Sequence, residues 1–328
     1  MSSQVRIWYV SSQRLCNFRC TYCVSINDYA KSTSQHWLTP QEEADFETIV
    51  RWMGGTPYRV GVRLATLGEP FASRGFLTRA AWLSKQENVD FIELLTNGSL
   101  LKRRLEQLDR EGDITKFSLW VTHHETEISV ERFIDNARFA QERYGCFVVV
   151  NALLFPDNEE YITRLRAAAK EADLRFNLDL GYDPLTPHGT LSKIDSMVPV
   201  LGAEDGIQRA RRLGADPEVL DLNIGAMRDL RDRSCSAGHR YFYIGPRGDV
   251  FRCSRYQSLG IGKLGNVLDD GFVLPLGESA STPCRAGFGC GNKEDYLHLS
   301  RRLQDEMASV PSLGWTGVAD RLQFASEA

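Results

Sequence analysis

The cysteines are the residues of this chain with the clearest capacity for chemistry. Three of its eight cysteines, Cys16, Cys20 and Cys23, fall within eight residues as a C-x3-C-x2-C pattern. Three thiolates on one short loop can bind three corners of an iron–sulfur cube and leave the fourth iron open. A closed zinc site needs four protein ligands, and no fourth ligand stands out near this loop. The pattern therefore favours an iron–sulfur cluster over zinc or unligated thiols.

A second group of cysteines lies in the last third of the sequence. Its members are Cys235, Cys253, Cys284 and Cys290. Four thiolates suit either a zinc ion or a fully ligated iron–sulfur cluster, and the spacing alone leaves both open. The remaining cysteine, Cys146, precedes a predicted strand, so we expect it to be a buried structural thiol.

Composition narrows the class of protein. The 328 residues carry a formal net charge of −4, which argues against a general binder of nucleic acid or of membrane surfaces. The longest apolar stretch, residues 147–155, is too short to cross a bilayer. No leader pattern is present at the N-terminus, so we expect a cytoplasmic protein. In that compartment cysteines serve as metal ligands or catalytic thiols more often than as disulfides.

Strand-like and helix-like segments alternate between the two cysteine groups. About six strand–helix units of this kind predict an α/β fold with parallel strands, either a barrel or an open doubly wound sheet. Both architectures place chemistry at the carboxyl ends of the strands, and the first cysteine group follows the first strand. Strands are predicted over 5–10, 58–66, 91–95, 116–121, 147–155 and 176–180, and helices over 40–53, 76–87, 100–111, 130–144 and 159–172.

The alternation ends after Tyr182. Residues 241–244 and 250–254 flank Gly245-Pro246-Arg247-Gly248-Asp249, which is typical of a β-hairpin. A further helix is predicted over 296–307. We therefore predict two domains, a barrel over 1–225 and a small α+β appendage with a C-terminal helix over 226–328.

Further motifs follow the predicted strands in order. Leu67-Gly68-Glu69-Pro70 follows the second strand, and Thr96-Asn97-Gly98 follows the third. With the first cysteine group, these residues resemble the radical S-adenosylmethionine superfamily. The resemblance implies a partial (β/α)6 TIM-type barrel with a [4Fe-4S] cluster on Cys16, Cys20 and Cys23. It also implies S-adenosylmethionine on the open iron, cleaved to a 5′-deoxyadenosyl radical that abstracts a substrate hydrogen. The residues implied in cofactor binding are Tyr22, Gly68, Glu69, Pro70, Thr96, Asn97 and Asn151.

The second cysteine group resembles the twitch appendage of that superfamily, a shortened relative of the SPASM domain. The resemblance implies an auxiliary [4Fe-4S] cluster bound by Cys235, Cys253, Cys284 and Cys290. A cluster with all four irons bound to protein has none open to substrate, so we expect a role in electron transfer. An electron donor of the flavodoxin or ferredoxin type is implied as partner.

The count of cysteines separates two reactions. A dehydrogenase needs no thiol donor, whereas a redox-neutral epimerase returns a hydrogen atom, commonly from a thiol. The compact layout resembles radical enzymes that act on aminocyclitols and aminoglycosides in antibiotic biosynthesis. We therefore expect oxidation of a secondary alcohol of a small polyol to a ketone. The alternatives are an epimerase of an aminoglycoside or peptide, with Cys146 or Cys253 as donor, and a zinc-binding adaptor without enzymatic activity.

A dehydrogenase also needs a proton acceptor at a carboxyl strand end. His123, His124 and Glu125 follow the fourth predicted strand, and Asp179 and Tyr182 follow the sixth. A histidine or a carboxylate at such a place can act as general base. Capping of the next helix is the structural alternative for the paired histidines.

Overall fold

The structure is a computed structural model that describes residues 5–23, 38–181, 201, 203–215, 231–276 and 282–285. Six parallel strands alternate with helices, as predicted. The strands are β1 (Val5–Ser11), β2 (Val60–Thr66), β3 (Val89–Thr96), β4 (Phe117–Thr122), β5 (Phe147–Leu154) and β6 (Arg175–Leu180). The helices are α1 (Pro40–Gly55), α2 (Arg74–Ser84), α3 (Leu101–Glu111), α4 (Val130–Tyr144), α5 (Glu159–Glu171) and α6 (Ala203–Arg212).

Helix ends follow local capping chemistry. Thr39 accepts a hydrogen bond from the backbone N–H of Glu42, and the Glu42 carboxylate accepts one from the N–H of Thr39, so α1 begins with the predicted capping box. Helix α2 begins at Arg74, two residues before its predicted start. Ser73 is the reason, because its hydroxyl accepts from the N–H of Phe76 and caps the helix there.

One sheet of nine strands contains the barrel strands in sequence order, β1 to β6, and no closed barrel forms among the described residues. The sheet continues beyond β1 through the later strands β8 (Tyr241–Ile244), β9 (Asp249–Phe251) and β10 (Lys263–Asn266). The short strands β7 (Ser234–Cys235) and β11 (Thr282–Pro283) form a separate antiparallel pair. This open parallel sheet with outer helices is the predicted α/β partial barrel.

The two faces of the sheet differ in polarity. Alternate residues of each strand, such as Val62 and Leu64, pack into the apolar core with the helices. The intervening residues project to the other face, where Arg63 of β2 pairs with Glu93 of β3 at 2.5 Å. Since successive side chains of a strand point to opposite faces, the helix side is an apolar core, and the concave side carries polar groups beside apolar ones such as Ala65.

The predicted hairpin is present, and it joins the barrel sheet. Strands β8 and β9 pair antiparallel, and β8 pairs parallel with β1, with Trp8 opposite Tyr243. The second hairpin strand ends at Phe251, before its predicted end at Ser254. Ser254 instead begins the short helix α7 (Ser254–Leu259), and Cys253 is the N-cap residue of that helix, in an extended conformation. The domain boundary at 225, Tyr182, Cys290 and the helix predicted over 296–307 lie outside the described residues.

No helix in the described part of the chain is long and apolar enough to cross a membrane.

Candidate functional site

The first cysteine group occupies a loop directly after β1, at the carboxyl edge of the sheet. Cys20 is buried, and Cys16 and Cys23 are partly buried. The backbone N–H of Cys23 donates to the carbonyl of Cys20 at 3.2 Å, and the N–H of Phe18 lies 3.4 Å from Cys16 Sγ. Burial raises the pKa of Cys16 to about 11 and that of Cys20 to about 12. Without a bound cation these thiols are therefore protonated at neutral pH.

The turn after β3 is hydrogen-bonded to this loop. The Asn97 amide donates to Asn17 Oδ1 at 3.2 Å, and the Asn17 amide donates to the Ser99 hydroxyl at 2.9 Å. Gly98 has a φ of +70°, a left-handed conformation that favours glycine. The Thr96-Asn97-Gly98 motif thus places an asparagine against the cysteine loop.

Glu69 is a buried carboxylate that joins the turns after β2 and β3. It accepts hydrogen bonds from the Thr96 hydroxyl at 2.6 Å, the Asn97 N–H at 2.7 Å and the Phe71 N–H at 3.0 Å. Its own N–H donates to the Leu15 carbonyl at 2.8 Å, one residue before Cys16. Burial raises the pKa of Glu69 to about 7, against the opposing effect of these donors.

Gly68 lies against the loop that carries the cysteines. A Cβ at this position would lie 2.3 Å from the Leu15 carbonyl oxygen, closer than any van der Waals contact. The glycine is required because the two backbones approach each other here. Pro70, the last residue of this motif, begins a short 3-10 turn over Pro70–Ala72 that is capped by Glu69.

Tyr22 and His124 pack together above the cysteine loop. The Tyr22 hydroxyl lies 3.2 Å from His124 Nδ1, and the two rings stack with centroids 5.8 Å apart. Phe155 packs on the Tyr22 ring at 5.0 Å, and Phe18 meets His124 edge-on at 6.0 Å. Burial lowers the pKa of His124 to about 4, so its imidazole is neutral at physiological pH.

The other two predicted base residues lie in different surroundings. His123 is buried between helices α4 and α5, with Nδ1 2.5 Å from the Tyr161 hydroxyl and its ring edge-on to Phe133. Burial lowers its pKa to about 4 as well. Glu125 is exposed to solvent. Among the three, His124 is the residue that the structure brings against the cysteine loop.

Asn151 lies in a polar row across three strands of the concave face. Its amide lies 3.3 Å from the Thr122 hydroxyl, and its Oδ1 accepts from the Asn177 amide at 2.7 Å. Strand register places the three residues side by side. Two residues further along β6, the Asp179 carboxylate accepts from the N–H of Leu180 at 2.9 Å. These groups line the concave face with acceptors and donors suited to a polar ligand.

The second cysteine group also converges, as far as it is described. Cys253 is buried in a cluster with Ala237 and Tyr241, against which Cys235 and Cys284 pack. Burial raises the pKa of Cys235 to about 11 and of Cys253 to about 12, so these thiols too are neutral without a cation. The fourth predicted ligand, Cys290, lies outside the described residues.

Trp8 connects the second cysteine group with the barrel. It packs against the cluster that includes Cys253, and also against a second cluster that includes Val10, Ala65 and Tyr243. The Arg63 guanidinium lies over its indole ring at 5.3 Å. Sequence reasoning missed Trp8, Arg63 and Glu93 because only the pairing of β8 with β1 brings the second cysteine group to this face. In the sequence, each of the three stands between two apolar residues of its strand, and this alternation could have indicated that they face away from the core.

The remaining cysteine is a core residue, as predicted. Cys146 is 2% exposed at the start of β5 and belongs to the apolar core under the helices. Burial raises its pKa to about 12.

The residues of the cysteine loop fit an iron–sulfur cluster with S-adenosylmethionine. Among the described residues, no three His, Cys, Asp or Glu side chains are placed so that they could hold one single metal ion. The thiolates of a cubane each bind a separate iron, so donor chemistry and burial are the relevant criteria. Cys16, Cys20 and Cys23 provide three sulfur ligands, each of which would bind a separate iron as a thiolate. Gly68 leaves the backbone of the neighbouring turn open to close approach.

Comparison with solved structures agrees with this fold. Native anSMEcpe with bound AdoMet aligns with a TM-score of 0.55 at 16% identity, covering 80% of this chain and 78% of that one. Streptococcus suis SuiB bound to the precursor peptide SuiA aligns with a TM-score of 0.53 at 15% identity, covering 84% of this chain and 66% of that one. At these identities the likeness shows the fold alone.

Curated relatives match over a shorter region. GTP 3′,8-cyclase of Alkaliphilus oremlandii (strain OhILAs) is 29% identical over 111 residues, and that of Alkaliphilus metalliredigens (strain QYMF) is 36% identical over 103 residues. These alignments span about a third of this chain, and 33% and 31% of the two relatives. Residues 10–169 match the Radical SAM superfamily model. This chain therefore carries a radical SAM domain over residues 10–169.

Proposed function

We propose that this protein oxidises a secondary alcohol of a small polyol, of the aminocyclitol or aminosugar class, to a ketone. The observation that carries the proposal is the convergence of Cys235, Cys253 and Cys284 beside the barrel sheet. With Cys290 they would bind a second [4Fe-4S] cluster, which would accept an electron from the substrate. The antibiotic-biosynthesis setting and the twitch character of the C-terminal region belong to this proposal.

The oxidation removes two protons and two electrons from the carbinol. Cys16, Cys20 and Cys23 would hold the first cluster, which with bound S-adenosylmethionine would supply the radical chemistry that removes one hydrogen atom. The chain must then accept a proton and one further electron. His124 suits the first task because its imidazole can accept a proton and because it lies beside Tyr22 of the cysteine loop. In the tautomer in which Nδ1–H donates to the Tyr22 hydroxyl oxygen, Nε2 has the free lone pair that would take the proton.

The second electron has a packed route out of the barrel. Trp8 contacts the hydrophobic cluster of the second cysteine group and also the cluster that contains Ala65, so its indole joins the concave face to the surroundings of Cys253 by direct packing. The reduced electron acceptor would then be reoxidised by the external flavodoxin or ferredoxin, or by the first cluster.

Burial argues against the redox-neutral alternative. An epimerase donor must reach the substrate, but Cys146 is 2% exposed and packs on the helix side of the sheet. Cys253 is 8% exposed and packs against Tyr256. Among the described cysteines, neither alternative donor therefore lies open on the concave face.

Anaerobic turnover of a substrate panel tests the proposal. The reconstituted protein is incubated with S-adenosylmethionine, a reductant and one candidate, and 5′-deoxyadenosine and the product mass are followed. Aminocyclitols and aminosugars are the expected substrates, with a mass loss of two hydrogens per 5′-deoxyadenosine formed. GTP, named in the curated relatives, and a peptide, named in the SuiB structure, are the competing classes. A product of unchanged mass, or turnover of GTP or a peptide only, would reject the polyol dehydrogenase.

Iron analysis tests the non-enzymatic alternative. A zinc-binding adaptor would purify anaerobically with zinc and without iron or sulfide, and would form no 5′-deoxyadenosine. The proposal requires about eight iron atoms per chain, two cubanes of four.

A further inference from the structure

One side chain links the three described segments that carry the second cysteine group. Arg252, next to Cys253, donates from Nε to the Ala237 carbonyl at 2.9 Å, two residues after Cys235. It also donates to the Tyr256 hydroxyl at 3.3 Å, on helix α7 after Cys253. Its third bond goes to the Thr282 hydroxyl, two residues before Cys284. A single guanidinium thus ties together segments that are far apart in sequence.

The surroundings are shaped to admit this side chain. Gly238 has a φ of +84°, and a Cβ there would lie 2.6 Å from Cγ of Arg252. Tyr256 accepts the guanidinium on its ring face at 5.0 Å, and its hydroxyl accepts the N–H of Arg285, beside Cys284, at 2.9 Å. The arginine is therefore held in a built position rather than lying loosely at the surface.

The charge of Arg252 has no anionic partner in the described part of the chain. Its three acceptors, Ala237, Tyr256 and Thr282, are all neutral, and no carboxylate among the described residues forms an ion pair with it. Withdrawing a cation from water without an anion costs free energy. Thiolates bound to an iron–sulfur cluster would bring negative charge to the same place.

We propose that Arg252 is the counter-charge and the positioning residue of an anionic iron–sulfur cluster bound through Cys235, Cys253 and Cys284. The proposal rests on the auxiliary cluster of the proposed function. The hydrogen bonds of Arg252 hold the segments of Cys235, Cys253 and Cys284 in register for metal binding. Its positive charge stabilises the reduced, more negative cluster, and so raises the reduction potential of the electron acceptor.

Two substitutions separate these two roles. Arg252→Gln removes the charge and keeps part of the hydrogen bonding, so we expect the midpoint potential of the auxiliary cluster to become more negative. Arg252→Lys keeps the charge as a point but cannot make three directed bonds, so we expect near-normal potential with severalfold lower cluster occupancy. Arg247→Gln, at an exposed position of the same hairpin, is the matched control for loss of one positive charge.

The measurements are made on the anaerobically reconstituted full chain. Iron and sulfide per chain report occupancy, and redox titration followed by electron paramagnetic resonance reports the potential of each cluster. The first cluster is the internal reference and is expected to be unchanged in every variant. An auxiliary potential and occupancy of Arg252→Gln equal to those of Arg247→Gln would overturn the proposal. If Arg252→Gln takes up no second cluster, Arg252→Lys decides, since a negative shift despite the retained charge would contradict the electrostatic role.

Failure of the proposed function gives a different result. If wild-type protein binds only one cluster, with about four iron atoms per chain, the auxiliary cluster itself is absent and the proposed function fails with it. If wild-type protein binds two clusters and the Arg252 variants match wild type, only the role of Arg252 fails.

Discussion

The two cysteine sites differ in how the chain brings their thiols together. Cys16, Cys20 and Cys23 sit on one loop, so local geometry alone places them near each other. The second site draws Cys235 and Cys253 from either side of a hairpin. Cys284 comes from the position directly after β11, the strand that pairs with β7. A site built on one loop keeps its thiols close together without help from distant segments. A site assembled from separate segments depends on the residues that join them.

Their electrostatic environments differ in the same comparison. The first site lies near Glu69, a buried carboxylate that raises the pKa of Cys16 further after burial has done so. The second lies beside Arg252, which lowers the pKa of Cys235 against the larger effect of burial. A nearby negative charge makes a cluster harder to reduce, and a positive charge makes it easier. This order suits a strongly reducing first cluster and a second cluster that accepts electrons.

The largest expected effect comes from removing a thiol of the loop. Cys20→Ala takes away one of three protein ligands of the first cluster, so we expect complete loss of 5′-deoxyadenosine formation. Chromatographic detection of 5′-deoxyadenosine after anaerobic incubation with S-adenosylmethionine and dithionite checks this. Wild-type levels of cleavage in Cys20→Ala would show that the loop does not hold the reactive cluster.

Removing a thiol of the second site should separate cleavage from oxidation. In Cys284→Ala we expect about half of the iron to be lost, with four of about eight atoms remaining. Cleavage of S-adenosylmethionine continues because the loop is untouched, but ketone formation is lost because the second electron has no acceptor. The ratio of ketone to 5′-deoxyadenosine measures this. Equal loss of both products would show that the two sites are not independent.

Gly68→Ala should damage the first site without touching a ligand. A Cβ would lie 2.3 Å from the Leu15 carbonyl, so the turn and the cysteine loop must move apart. We expect weaker binding of S-adenosylmethionine, by about tenfold, with a loss of stability of about 1–3 kcal/mol. Equilibrium binding to the reconstituted protein and thermal unfolding check the two effects. Gly55→Ala is the control, because a Cβ there has no neighbour within 4 Å.

The contrast between local and long-range contacts also explains which features could be predicted from the sequence. The strand–helix alternation from Val5 to Leu180, the capping box at Thr39 and the hairpin turn at residues 245–248 are local patterns, and the structure confirms them. The hydrogen bonds that Glu69 accepts from the turn after β3, and the pairing of β8 with β1, join residues far apart in sequence. A carboxylate in a Gly-Glu-Pro turn gives no sign that its acceptor oxygens reach Thr96 and Asn97, because that contact arises only when neighbouring strands align their ends.

The charge of Glu69 should appear in the pH dependence of stability. Its pKa in the folded protein is about 7, above the ordinary value of 4.5. The folded state therefore holds the proton more tightly, and this group's contribution is complete below pH 4.5 and lost as pH rises through 7. Glu69→Gln cannot ionise and lacks this slope. We expect its stability relative to wild type to improve between pH 5 and pH 8, by a few kcal/mol at most.

Thermal unfolding of both proteins across that pH range measures the difference. Glu125→Gln is the matched control, because Glu125 is exposed and accepts no hydrogen bond in the described contacts. A difference between Glu69→Gln and wild type that stays constant with pH would mean that the buried carboxylate does not titrate in this range.

The smallest effect is expected at the cysteine that belongs to neither site. Cys146 is buried in the helix-side core, so Cys146→Ala removes a few apolar contacts and costs about 1 kcal/mol of stability. Cluster content, 5′-deoxyadenosine formation and product mass should match those of wild type, since the sheet separates this thiol from the concave face. Incubation in deuterated buffer sharpens the test. An epimerase would form a product that differs from the substrate only by one deuterium taken from the solvent. If wild-type protein forms such a product and Cys146→Ala does not, Cys146 is a hydrogen donor and the epimerase is restored. If neither protein incorporates deuterium into the product, the oxidation stands, and the second electron passes to the second site.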